Sequence, residues 1–254
     1  MKKRHKTFKK SKLFGIVKAI GSLFVRRAKL VLPEGGLPKQ AIFLTTHGIK
    51  PLVGIMKNEL SMPKEIPFVT IGTHELCNPY FKRLRYGINI HYRLRLGWGP
   101  IRAFLWSTIV AFYLGMMYKM ARVIPSYRDL RSIKTMKESF SALDQGYSML
   151  IYPEDLELMY NNVYLKFLPG FVFMAQQYHA KTGKDIPIVP CYFSCQLNRI
   201  IIDKPISVVE MLKEGKTREE IADFFRNKVN DLYAKHIQPI VREKEAKYAK
   251  FNDA

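Results

Sequence analysis

The sequence predicts an α/β fold: a mixed, largely parallel sheet flanked by helices, preceded by a basic amphipathic helix. Two observations predict it, and a third points to its partner. Short apolar runs around Phe43, Ile124, Leu150 and Val189 each end in a polar or Pro-containing turn, and helix-length stretches separate several of them, which is βαβ spacing. Hydrophobic residues make up 48% of the 254 and aromatics 13%, enough for a sizeable core and too many for a disordered chain. The net charge is +21, and residues 1–31 hold eleven Lys or Arg with no acid, so an anionic partner or surface is expected.

In residues 13–29 the apolar groups Leu13, Phe14, Ile16, Val17, Ile20, Leu23 and Phe24 recur at helical spacing behind a tail of Lys2, Lys3, Arg4 and Lys6. A basic amphipathic helix of this kind suits docking on anionic lipid. Residues 1–32 are therefore expected to be a docking segment, and removing 1–29 should leave the rest folded. A turn-rich linker over 33–38 leads into a domain spanning 40–247. Residues 42–46 read as a strand with His47 directly after it, followed by a helix through Asn58 with Pro51 in its first turn. A second strand over 67–71 leads into Gly72-Thr73-His74, and 86–92 reads as a short extended segment.

Residues 103–118 are sixteen in a row without a charge, bounded by Arg102 and Lys119. A spanning helix wants about 20, so this reads as a helix against the sheet with one face near a bilayer. Strands follow at 122–126 and 149–152, separated by a helix over 132–143 that Gly146 closes. A helix over 170–181 stops at Thr182-Gly183, and strands over 186–193 and 199–202 complete the sheet. Thr217-Arg218-Glu219-Glu220 is a capping box opening a long amphipathic C-terminal helix.

Cys77, Cys191 and Cys195 are odd in number and show no Cys-x-x-Cys spacing, so neither a disulfide framework nor a zinc site is expected and a reducing cytosolic setting is the default. No secretory signal is expected at the basic start. A Gly-x-Ser-x-Gly elbow and a P-loop are both absent. Basic and aromatic residues interleave over 80–86 and 92–98, as in single-stranded nucleic-acid sites, but no RNA-binding motif accompanies them and nucleic acid is not the expected partner.

The candidates for chemistry stand after strands, where open α/β sheets build their sites. His47 can take a proton at neutral pH and return it, its ordinary pKa being about 6.5. His74 is its competitor, or a turn histidine. Arg128 offers a planar fork matched to phosphate, or an ion pair with Asp129 or Asp144. Glu154 ends the run Leu150-Ile151-Tyr152-Pro153, and Lys166 and Gly170 flank Phe167-Leu168-Pro169.

Taken in order, His47, Arg128, Pro153-Glu154, Ile188-Val189-Pro190 and Asp203-Lys204-Pro205-Ile206 resemble the motifs of the 1-acylglycerol-3-phosphate acyltransferase family over about residues 40–208. The resemblance implies a glycerolipid-acyltransferase-like sheet and transfer of a fatty acyl group to glycerol 3-phosphate or a lysophospholipid in membrane phospholipid synthesis. Acyl-CoA or acyl-carrier protein would be the donor substrate, with no metal or other cofactor. It implies an anionic membrane surface as partner, the protein sitting on the cytoplasmic face as a peripheral or monotopic protein. His47 would be the general base, Arg128 would grip the acceptor's phosphate, and Glu154 would order the acceptor end or the loop beside the histidine. Lys166 would stand in for a missing arginine, and Gly170 would open a helix toward an anion.

Two departures matter. Leu52 occupies the Asp position of the family's His-x-x-x-x-Asp, and Asp155-Leu156-Glu157 replaces Gly-Thr-Arg after Glu154. Either a residue distant in sequence, Asp129 for one, supports His47, or the chain is a weak or non-catalytic relative acting as a membrane adaptor that binds anionic lipid or acyl carrier.

Overall fold

The computed structural model describes residues 7–63, 65–158 and 161–252. Its N-terminal elements are α1 (Lys12–Phe24), β1 (Lys29–Val31), β2 (Ile42–Leu44), α2 (Pro51–Ser61), β3 (Phe68–Thr73) and α3 (His74–Cys77). Next come α4 (Tyr80–Tyr86), a π-helical stretch (Gly87–Arg95), α5 (Pro100–Ala121), β4 (Ile124–Ser126), α6 (Ser132–Asp144) and β5 (Ser148–Ile151). The C-terminal part holds α7 (Gly170–Thr182), β6 (Ile188–Ser194), β7 (Arg199–Ile202), α8 (Val208–Lys213), α9 (Arg218–His236) and α10 (Gln238–Asn252). The chain is mixed α/β, as the apolar runs predict. Strand pairs β1–β7, β2–β6 and β3–β4 are parallel, whereas β6–β7 is antiparallel. Two compact units result: residues 1–21 with 67–149, and residues 22–66 with 150–254.

In the second unit β7 lies between β1 and β6, and β6 lies between β7 and β2. All seven residues of β6 are buried, the pattern of a strand covered on both faces. One cover is α9, whose Ile221, Ala222, Phe225, Val229 and Leu232 are buried. The capping box fixes where α9 starts: Glu220 N donates to Thr217 Oγ1 at 3.2 Å, and Thr217 N donates to Glu220 Oε2 at 2.7 Å. α7 stops where Gly183 turns left-handed at φ +70°. The strand β1 has no counterpart in the sequence expectation. Three residues at the end of a basic segment carry little period-2 signal, and their pairing with β7 makes them a strand.

In the first unit β3 pairs in parallel with β4, Ile71 opposite Ile124. Here one expectation is corrected. Residues 86–92 are not extended; they run through the end of α4 into the π-helical stretch. Ile88, Ile90 and Tyr92 alternate like a strand, but packing against α5 decides: Gly87 lies close against Ser107, and Tyr92 stacks on Trp98 with ring centroids 4.7 Å apart. The N-terminal segment contributes side chains to this unit. Phe8 is fully buried, and Phe14 is buried with Val17 against Met116, Met117, Met120 and Ala121, so removing residues 1–29 strips apolar groups from this unit's core.

Candidate active site

His47 sits three residues beyond β2, and the second unit fixes that strand end from several directions. Thr45 N donates to Ile151 O at 2.9 Å, and Phe193 N donates to Thr46 Oγ1 at 3.0 Å. Asn58 of α2, fully buried, accepts from Thr45 Oγ1 at 2.8 Å and donates to Thr46 O at 3.2 Å and Gly54 O at 2.9 Å. Buried amides satisfied this completely hold a loop in one geometry. Gly54 faces the histidine's own backbone so closely that a Cβ there would overlap the His47 carbonyl. Gly48, at φ +65°, then turns the chain toward α2.

Glu154 reaches the same place from 107 residues downstream. After β5, Pro153 O accepts from Leu168 N at 2.8 Å, Asp155 N donates to Lys166 O at 3.2 Å, and Glu154 bridges to Phe167. Pinned by that short two-stranded tie, the buried carboxylate takes hold of His47 twice. Oε1 accepts from the His47 backbone N–H at 2.6 Å, and Oε2 lies 3.2 Å from Nδ1. The Tyr152 ring lies 4.2 Å from the imidazole, centroid to centroid. With the proton on Nδ1 directed at the carboxylate, Nε2 carries the lone pair. Beside the pair lies Tyr164, 7% exposed. Burial, with the Glu154 charge and the neighbouring Tyr192, pushes its hydroxyl well above the usual phenol range, so it stays protonated at neutral pH.

The other predicted residues fall into less enclosed settings. Lys166 Nζ forms an ion pair with Asp155 Oδ2 at 3.3 Å. Gly170 opens α7 behind Pro169, whose carbonyl accepts from both Val172 N and Phe173 N. Arg128, in the first unit, is exposed two residues past the end of β4. Its charge and that of Arg95 act on Tyr86, whose pKa burial nonetheless raises. Asp129, a sequence candidate for supporting His47, instead grips the Arg131 guanidinium, with Nη2 2.7 Å from Oδ2. Those hydrogen bonds lower its pKa to about 2. His74 begins α3 with Nδ1 3.2 Å from Glu75 Oε2 and its ring 5.0 Å from that of Tyr127. Among the described residues no three His, Cys, Asp or Glu side chains gather as metal ligands.

Sequence reasoning offered Glu154 as a group that orders the acceptor end or the loop beside His47, without the contact to Nδ1, and it missed Gly54, Asn58 and Tyr164. A glycine and an asparagine at i and i+4 in an apolar helix were the available signal for two of them.

Residues 101–194 match the family model described as Acyltransferase. Over that stretch the chain is similar to the acyltransferase family. The stretch takes in Arg128, Pro153-Glu154, Lys166, Gly170 and the Val189-Pro190 strand, while His47 lies upstream of it. No curated protein and no solved structure matches the chain. The match supports transfer of acyl groups at the level of that family. Within the acyltransferase stretch, α5 is long and apolar enough, by length and composition, to cross a membrane.

Proposed function

We propose that this acyltransferase moves a fatty acyl group from a thioester, acyl-CoA or acyl-carrier protein, to the hydroxyl of glycerol 3-phosphate or a lysophospholipid. The observation that carries this reading is the double grip of Glu154 on His47, through Nδ1 and through the backbone N–H. Position 52 holds Leu instead of the acid of the family motif, and Glu154 supplies the carboxylate that an orienting role requires. The motive for the adaptor reading is thereby weakened.

In the proposed reaction His47 Nε2 takes the proton from the acceptor hydroxyl as its oxygen attacks the thioester carbonyl carbon. Glu154 keeps the imidazole in the reactive tautomer and stabilises the imidazolium that forms. Collapse of the tetrahedral intermediate breaks the C–S bond, and the imidazolium returns its proton to the departing thiolate. Arg128, by its place in the second family motif, would hold the acceptor's phosphate. Lys166, 3.3 Å from Asp155 Oδ2, is the second candidate.

The test incubates purified protein with labelled acyl-CoA or acyl-carrier protein and a panel of phosphate-bearing acceptors. Acyl ester should form, and Arg128→Lys should raise the acceptor KM more than the donor KM, since a point charge replaces a bidentate fork. No transfer by wild type with either donor across the panel would return the chain to the adaptor reading.

A further inference from the structure

Helix α5 is apolar on both sides. Ala103, Ser107, Ala111 and Leu114 form a buried stripe, and small residues there let α4 and the π-helical stretch pack closely against it, as at Gly87 and Ser107. The opposite arc of the same helix carries Ile101, Phe104, Leu105, Ile109 and Phe112, each 52–76% exposed. At spacings of three and four residues these five form one continuous ridge, roughly 17 Å long at 1.5 Å per residue. Phe81 on α4 and Leu94 on the π-helical stretch are 80% and 72% exposed. Single exposed apolar groups are ordinary, but a continuous ridge marks an interaction face.

Charge identifies what the ridge meets. From residue 76 to 128 the chain has nine Lys or Arg and no Asp or Glu. Lys82, Arg85, Arg93 and Arg102 are exposed, and the Arg102 guanidinium lies 3.9 Å over the Trp98 ring. Large apolar side chains rimmed by cations and indoles are the makeup of a helix seated at the surface of an anionic bilayer. Two copies meeting through this face would set like charge against like charge.

We infer that α5, with α4 and the π-helical stretch, is a docking surface for anionic lipid, α5 lying in the plane of the interface and not crossing it. Crossing is disfavoured by Arg83, whose Nε donates to the Ala111 carbonyl at 2.9 Å, midway along α5. The guanidinium fits there because Gly115 has no side chain to block it. A charge fixed at mid-helix would lie in the hydrocarbon core of a spanning arrangement. Among the described side chains of α1, Phe14 and Val17 are spent on packing and Leu13 and Ile16 stand outward, a smaller apolar face than the ridge on α5. The inference does not rest on the chemistry at His47.

The chain's two tryptophans, Trp98 and Trp106, both lie in this region, so intrinsic fluorescence reads it directly. Full-length protein is mixed with vesicles of phosphatidylcholine alone or with equal phosphatidylglycerol, and co-flotation and emission are recorded. Binding should require the anionic lipid, weaken with salt, and shift tryptophan emission to the blue. The triple variant Phe104→Ser, Ile109→Asn, Phe112→Ser should lower partitioning by roughly tenfold or more with the wild-type melting temperature. Lys82→Glu with Arg93→Glu, which leaves the ridge intact, should also weaken binding and keeps the test valid if the triple variant folds poorly. His47→Ala should bind like wild type, so failure of the acyl-transfer reading would leave this result untouched. Wild-type flotation by both variants, or unshifted emission on bound vesicles, would overturn the proposal. So would conversion of a dimer to monomer by the triple variant, or binding to acidic acyl-carrier protein but not to anionic vesicles.

Discussion

Each unit of the molecule presents a histidine after a strand, with a carboxylate 3.2 Å from Nδ1 and a tyrosine ring alongside. They are His47 with Glu154 and Tyr152, and His74 with Glu75 and Tyr127. By distance alone the two are equivalent. They differ in what holds the carboxylate. Glu154 is 5% exposed at its side chain, is anchored by the tie to residues 166–168, and also accepts from the His47 backbone. Glu75 is 35% exposed, sits next in sequence to its histidine, and is shared with the Thr73 hydroxyl. Exposed neighbouring ion pairs contribute little and reorient freely, whereas a buried, multiply bonded carboxylate fixes a tautomer. A histidine–carboxylate distance is therefore weak evidence of a base until the enclosure of the carboxylate is known.

That contrast can be broken most forcefully at His47. His47→Ala should reduce acyl transfer by roughly 10²–10⁴-fold, the usual worth of a positioned base, with little change in melting temperature. A fully active variant would place the base elsewhere. Next in size is Glu154→Gln, which preserves shape but can present an amide to Nδ1. A loss of about 10²-fold is expected, with the pH–rate profile displaced, and Glu154→Asp should recover part of it. If Glu154→Gln kept both rate and profile, the carboxylate would have no orienting role. Gly54→Ala sharpens the comparison through the backbone. Alanine ordinarily stabilises a helix interior by about 1 kcal/mol over glycine, but here overlap with the His47 carbonyl should reverse the sign, costing about 1–3 kcal/mol in denaturant unfolding. Stabilisation would mean that the His47 loop yields. The smallest effect belongs to His74→Ala, which should stay within about 0.5 kcal/mol in stability and leave transfer near wild type. A loss matching that of His47→Ala would make the two histidines functional equals.

Much of this was legible in the residues, and the exceptions have physical causes. Runs such as Ile188-Val189-Pro190 and the Thr217–Glu220 box carry their structure locally, so the β6 and α9 assignments follow from sequence alone. His47 and Glu154 were also visible, each as a polar group after an apolar run. The resemblance brought Glu154 to the loop beside His47, but the direct contact at Nδ1 was not visible, because strand pairing makes it and no local rule encodes a partner 107 residues away. The π-helical stretch escaped for a related reason: its alternation of Ile88, Ile90 and Tyr92 is overridden by packing against Ser107 and Trp98. Phe14 reads from sequence as part of an outward lipid face, and only the position of Met120 and Ala121 makes it a core residue.

The sequence distance between His47 and Glu154 also bears on how the protein comes to be active. Closing a loop of 107 residues costs about 4 kcal/mol of chain entropy, and nothing at the pair itself offsets it until β5, β2 and the tie at residues 166–168 are in place. His74 and Glu75, being neighbours, can meet in a chain that has barely begun to fold. In a refolding experiment the contact of His74 with Glu75 should form among the early local ones, while enzymatic competence waits for the long-range ones. Recovered activity would then be a clock for the last stage of folding, running behind helix content and behind any signal taken from the first unit.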